Sequence, residues 1–275
     1  MKKILILTLL LTLFLSGCDH SGTNAQASIP FYEPSHPETS PAITEPSTPT
    51  QQSQPTEPLP TEPISTEPLH SEFYIPGVSV EDVILYFNEV CLDAEFVNGG
   101  DPSVLQKWDA PIYYILHGDW TEEDITVLSD FTEWLNTIEG FPGIYETQDP
   151  ANASLRIHFC SQSEMLSLMG EDYAGMDGAV TYWYMDNKIY DAIICYRTDL
   201  NQYVRNSVIL EEIYNGLGPI QDTSLRPDSI IYSAYSEPQC LTEIDALLLK
   251  LLYHPALQCG MNAAECEAVI RSIYY

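Results

Sequence analysis

Eleven of the chain's 20 prolines lie between Ser28 and Leu69, and this crowding decides which part of the chain can fold. Each proline fixes φ and removes a backbone donor, so the stretch supports neither a helix nor a strand ladder. Thr-Glu-Pro recurs at Thr44, Thr56, Thr61 and Thr66, and no Lys or Arg occurs from Asp19 to Ser71. The segment holds too little apolar surface to offset the entropy of ordering. Residues 18–71 are therefore expected to form a disordered, semi-extended linker of polyproline character. Such a segment also suits recognition modules that bind proline-rich ligands, but a spacer is what an anchored domain requires.

An anchor is indicated upstream. Lys2 and Lys3 precede a mostly apolar run from Ile4 to Leu15, shorter than the roughly 20 residues a membrane-spanning helix needs. That is the arrangement of a signal peptide. Leu15-Ser16-Gly17-Cys18 resembles the lipobox of bacterial lipoproteins, in which the Cys thiol is diacylated and the chain is cut just before it. The resemblance implies a signal peptide over 1–17, lipidation at Cys18, and a place on the extracytoplasmic face of the cell membrane. Two acyl chains suffice for stable anchoring. Asp19 would act as an inner-membrane retention signal in a Gram-negative cell and has no such meaning in a Gram-positive one.

The remaining 204 residues, Glu72 to Tyr275, suit a single domain. They contain 33 acidic and 8 basic residues. Nucleic acid and anionic membrane surfaces are poor partners for such a charge. Apart from Cys18 there are six cysteines: Cys91, Cys160, Cys195, Cys240, Cys259 and Cys266. An even number outside the cytoplasm suggests disulfides, with a local bridge among the last three; buried free thiols are the alternative. No C-x-x-C spacing occurs, so neither a zinc ribbon nor a thioredoxin motif is indicated.

Periodicity places the elements. Ser79 with Glu81 and Asp82 behind it starts a helix to about Leu92. Trp108 to Leu116 reads as a strand. Thr121, followed by three acids, starts a second helix ending at Gly140, with Ile125, Leu128, Leu135 and Ile138 at helical spacing. Ser154 to Phe159 alternates as a strand, and Val180–Tyr184 pairs with Ile189–Tyr196 around Asp186-Asn187 as a hairpin. Arg205–Leu217 is a helix ending at Gly218. Thr242 caps a helix with an unbroken stripe of Ile244, Leu247, Leu248, Leu251 and Leu252. A last helix covers Ala263–Ile273. The order predicts an α/β or α+β domain with a small sheet first and helices last, and an α+β fold with a small mixed sheet is the expectation.

The informative stretch runs Glu211-Glu212-Ile213-Tyr214-Asn215-Gly216-Leu217-Gly218 to Gln221-Asp222, then Ser229-Ile230-Ile231-Tyr232 and the Thr242 helix. It resembles the extended zinc motif of metzincin peptidases, with their turn and following helix. That motif sets two His on one helical face at i and i+4, a Gly bend, a third His, and a Glu that serves as general base for metal-bound water. Here the ligand positions hold Glu211, Asn215 and Gln221, the base position holds Glu212, and the turn Met is Ile231. One carboxylate and two amides make a poor zinc site. The motif implies a metzincin-related, zincin-like scaffold with its ligands replaced, needing no metal and no cofactor. A calcium site from Glu211, Asn215, Gln221 and Asp222 is the alternative. Otherwise these polar groups bond to one another and to backbone, with Arg205 and Arg226 as candidate partners. His117, His158 and His254 share no helical spacing and read as single histidines.

The domain is also similar to a family of bacterial proteins, often lipoproteins, known as domain of unknown function 2927. Glu211-Glu212, Asn215, Leu217-Gly218, Gln221-Asp222, Ser229-Ile230, Leu248-Leu249, Leu252-Tyr253 and Gly260-Met261 carry that similarity, over about Ser79 to Ile273. Pro219 and the cysteines depart from it. The resemblance implies a zincin-like fold and supplies no activity. The expectation is a non-catalytic domain that binds an envelope protein or an extended peptide along an edge strand, Val180–Tyr184 or Ile189–Tyr196. The competing expectations are a metal-dependent hydrolase with atypical ligands, and a structural envelope subunit.

Overall fold

A computed structural model describes residues 72–92, 104–234 and 236–274. The signal segment, Cys18 and the proline-rich linker lie outside them. The elements in chain order are α1 (Val80–Cys91), β1 (Lys107–Trp108), β2 (Ile112–Gly118), α2 (Glu122–Leu135), β3 (Ile144–Glu146), β4 (Leu155–Cys160), α3 (Gln162–Met169), a 3-10 turn (Glu171–Tyr173), β5 (Gly178–Met185), β6 (Lys188–Arg197), α4 (Gln202–Gly216), α5 (Glu243–Tyr253) and α6 (Ala263–Ile273). The fold is α+β, with a mostly parallel mixed sheet.

The helix starts follow from local chemistry. Ser79, Thr121 and Thr242 cap α1, α2 and α5, each in a reciprocal box with an aspartate three residues on. Such a box satisfies two otherwise orphaned backbone donors. The hairpin turns at Asp186 and Asn187, both with positive φ (52° and 62°), as a tight turn between right-twisted strands requires.

Four sequence expectations need correction. The strand expected over Trp108–Leu116 is two strands, because Pro111 cannot donate to a ladder. Trp108 pairs with Ile189 of β6, whereas Ile112 pairs with Ile144 of β3. The second helix stops at Leu135, where the Asn136 side chain takes Ile144 N–H (2.8 Å) and donates to Ile144 O (2.9 Å), seating β3. The fourth helix begins at Gln202, capped by Asn201, rather than at Arg205. The disulfide expectation also falls: all six described cysteines are free thiols. Cys266 is buried in the core and Cys240 is exposed, so the local bridge does not form.

The sheet order is β1-β6-β4-β2-β3, with β5 antiparallel on β6. Side chains alternate across it. One face, with Leu155, Ile157 and Phe159 of β4 and Ile194 and Tyr196 of β6, belongs to the main core together with Ile209 and Ile213 of α4. On the other face Cys160, Cys195 and Ala179 join a smaller cluster with Met165 of α3 and Tyr173.

Asp245 of α5 ties the helical half together. It is fully buried. Its Oδ1 accepts from Tyr86 OH (2.8 Å) and Ser229 Oγ (2.7 Å), and its Oδ2 from Ile230 N (3.2 Å), Thr242 N (3.1 Å) and Thr242 Oγ1 (2.8 Å). Its own carbonyl accepts from Tyr214 OH of α4 (2.9 Å). Asp245→Ala strands several of these buried donors and should destabilise the domain by about 3 kcal/mol or more. Urea unfolding is the measurement; a loss of less than about 1 kcal/mol contradicts the assignment.

Candidate functional site

Helix α4 carries the residues singled out by sequence, and 12 of its 15 residues are buried. Polar side chains share that burial: Glu211 is 6% exposed, Glu212 5% and Asn215 2%. A helix apolar only in part yet buried along its length must satisfy its polar groups internally. Ser207, Glu211 and Asn215 follow one another at i, i+4, i+8 and so share a face. On that face Ser207 Oγ and Asn215 Oδ1 are buried without a protein hydrogen-bond partner among the described residues.

Glu212 lies on a different face, toward the sheet. A Cβ added at Gly178 of β5 would come 2.8 Å from Glu212 Cγ, 2.9 Å from its Oε1 and 2.4 Å from Val208 Cγ1. Glycine at 178 thus makes room for the carboxylate. The acid raises the pKa of its neighbours: burial first, then the Glu212 charge, holds the Tyr196 phenol well above its ordinary value.

Gln221 and Asp222 follow on the loop after α4 and are half-buried. That loop is held from α1: Gln221 N donates to Val90 O (3.2 Å), and Glu89 accepts from Thr223 Oγ1 and from Ser224 N (2.9 Å) and Oγ (2.7 Å). Ile231, at the turn position, is fully buried, and its N–H donates to Ser229 Oγ (3.2 Å). Arg205 and Arg226 were candidate partners for the α4 carboxylates. Arg205 forms a buried ion pair with Asp124 of α2, while Arg226 pairs with Asp228 (2.8 Å). The physical reason is direction: Arg205 lies a turn and a half before Glu211, and its guanidinium also bonds Thr198 O (3.3 Å).

Sequence reasoning missed one constellation. His117 and His158, read as unrelated, are in-register neighbours on β2 and β4. Their rings stack with centroids 4.6 Å apart and planes 21° apart. Only the parallel register reveals the pair; no local spacing does. Burial, then the His117 ring and the Arg156 charge, push the His158 imidazole from its usual 6.5 down to about 4. Arg156 is itself paired with Asp191 (2.7 Å). Among the described residues, no group of three or more His, Cys, Asp or Glu side chains is arranged to hold a metal ion, and no helix is long and apolar enough to cross a membrane.

Residues 81–272 match the model of a family described as a protein of unknown function, DUF2927. The chain belongs to this family. The match spans α1 to α6, so the buried α4, the Asp245 node and the whole sheet lie within the DUF2927 region. No curated protein matches the chain.

The His158 shift gives a signed pH dependence for this DUF2927 domain. Its folded pKa lies below the unfolded value, so the unfolded state binds the extra proton between them. Stability from this group is full above about 6.5 and is lost as pH falls toward about 4. In metal-free buffer, His158→Gln should show a shallower fall in Tm over that window than the parent chain. Equal slopes would contradict the assignment.

Proposed function

We propose that this DUF2927 chain is an envelope lipoprotein, anchored through Cys18 on the extracytoplasmic face, whose zincin-like domain binds an extended peptide segment of an envelope protein without cleaving it. The zincin-like reading draws on the succession of parts: a mostly parallel sheet, one antiparallel strand beside β6, the α4 helix, the tight Ser229–Ile231 turn and the α5 helix. The non-catalytic reading rests on one observation above all. The positions where a peptidase would expose metal ligands, Glu211 and Asn215, and its base, Glu212, are sealed in the core. One carboxylate and one amide on a buried helix face make a poor zinc site, and a bound zinc is what would lower the pKa of a water for Glu212 to deprotonate.

For binding, β5 offers the surface. Of the two hairpin strands, β6 is interior, between β5 and β4, and β5 has no further strand partner among the described residues. An unpaired edge carries backbone donors and acceptors that an incoming extended chain satisfies. The competing reading, a metal-dependent hydrolase with atypical ligands, has Ser207 Oγ and Asn215 Oδ1 in its favour, since oxygen atoms of this kind suit a hard cation.

Three measurements separate these readings. Cys18→Ser should abolish palmitate labelling and release the chain from the membrane fraction; retention of both signals overturns the anchor. Purified chain should not cleave casein or a peptide library, with or without added zinc; cleavage lost in Glu212→Gln overturns the non-catalytic reading. Amide exchange in β5 should slow when a binding peptide from the same library is added. Unchanged exchange there, with binding present, moves the binding surface elsewhere.

A further inference from the structure

The histidine pair sits on the sheet face turned away from α4, on the same side as Cys160 and Cys195. Three in-register positions form a row across adjacent parallel strands: His117 on β2, His158 on β4 and Cys195 on β6. Cys195 is buried and packs with Cys160 in the smaller core cluster. The two imidazoles are half-buried and keep part of their surface exposed. Among the described residues neither ring makes a hydrogen bond or ion pair, and each is the other's stacking partner.

This geometry suits a ligand pair. Neighbouring strands lie about 4.8 Å apart, and the ring centroids, 4.6 Å apart, keep that spacing between the two imidazoles. A modest rotation of each ring brings one nitrogen of each within about 2.0–2.1 Å of a shared cation. The backbone need not move, because the ladder already fixes the separation. Imidazole nitrogens select d-block cations over magnesium and calcium, which prefer oxygen. The acidic surface raises the local concentration of divalent cations in general, and the rings supply the selectivity. Arg156 is the nearest like charge on this face, and its pairing with Asp191 offsets it.

We propose that His117 and His158 form a two-histidine binding site for a divalent cation of the nickel, copper and zinc group, with water completing the coordination shell. Two protein ligands leave several positions open. Such a site is suited to taking up and passing on a cation, or to accepting a third ligand from a partner, rather than to the closed four-ligand role of a structural zinc. It is separate from α4 and does not depend on the peptide-binding reading.

The test uses the full chain in detergent, titrated with nickel chloride in a large excess of magnesium and followed by calorimetry. One equivalent should bind. His117→Ala and His158→Gln should each weaken binding by about tenfold or more while leaving the circular dichroism spectrum unchanged. Cys160→Ser and Cys195→Ser should leave the affinity intact. The other histidines, His20, His36, His70 and His254, provide the control: replacing them together should change nothing. Absence of saturable uptake, an affinity in either histidine variant equal to that of the parent chain, or loss confined to the cysteine or control variants overturns the site.

Discussion

A buried carboxylate, Asp245, sets the terms for the helical half of the domain. An unpaired charge in an apolar interior is costly, and the cost is offset only if its lone pairs are filled. Five donors fill them here, and they come from three places: the first turn of α5 itself, the Ser229–Ile230 turn, and Tyr86 on α1. The carboxylate cannot be satisfied unless those pieces meet. Tyr214 adds α4 through the Asp245 carbonyl. One residue therefore makes helix α5, the preceding turn, α1 and α4 mutually dependent, and it does so while performing the local task of capping a helix.

Other buried polar groups follow the same pattern of acting at helix ends. Asp124 closes the capping box of α2 and at the same time receives Arg205 from α4 and Gln202 Nε2 (2.7 Å). Lys107, almost wholly buried on β1, donates to Leu252 O (2.7 Å) in the last turn of α5, where the helix dipole favours a cation, and to Leu257 O (2.6 Å) in the segment that follows. Trp108 Nε1 donates to Gly216 O (2.9 Å) and Tyr253 OH to Leu217 O (2.7 Å), so the C-terminal carbonyls of α4 are met from β1 and α5. Helix termini leave unsatisfied backbone groups that a buried end must pair. In this domain those needs specify how the helices dock, and α4, held at both ends, becomes the central element.

This explains what the amino-acid sequence revealed and what it concealed. Capping is local, so Ser79, Thr121 and Thr242 announced their helices, and Asp186-Asn187 announced the hairpin. The Ser161-x-x-Glu164 box of α3 carried the same signal, but the helix is only eight residues long and lies between two strands. Strand β3 has three residues and no periodicity to detect. The polar residues of α4 were legible as a group because Glu211, Glu212 and Asn215 stand at the ligand and base positions of a peptidase motif, while their burial depends on the packing around the helix. The pairing of His117 with His158 depends on the register of two strands 41 positions apart, information that exists only once the sheet forms. Cysteine parity misled for a related reason, since Cys91, Cys160, Cys195 and Cys266 serve as small buried apolar side chains.

The two faces of the sheet consequently differ in kind. Against one face lies α4, whose polar side chains are enclosed and whose ends are fixed by Arg205, Trp108 and Tyr253; a change there is a change to the core, and selection on it is selection on folding. On the other face, among the described residues, α3 packs at the corner near β5 and β6, and His158 and His117 farther along the row are half-buried. A stacked imidazole pair held half-buried, with one ring kept neutral at the expense of stability in acid, is a cost that packing alone does not require. Both proposed sites, the histidine pair and the β5 edge, therefore lie away from the helix whose sequence first drew attention to it.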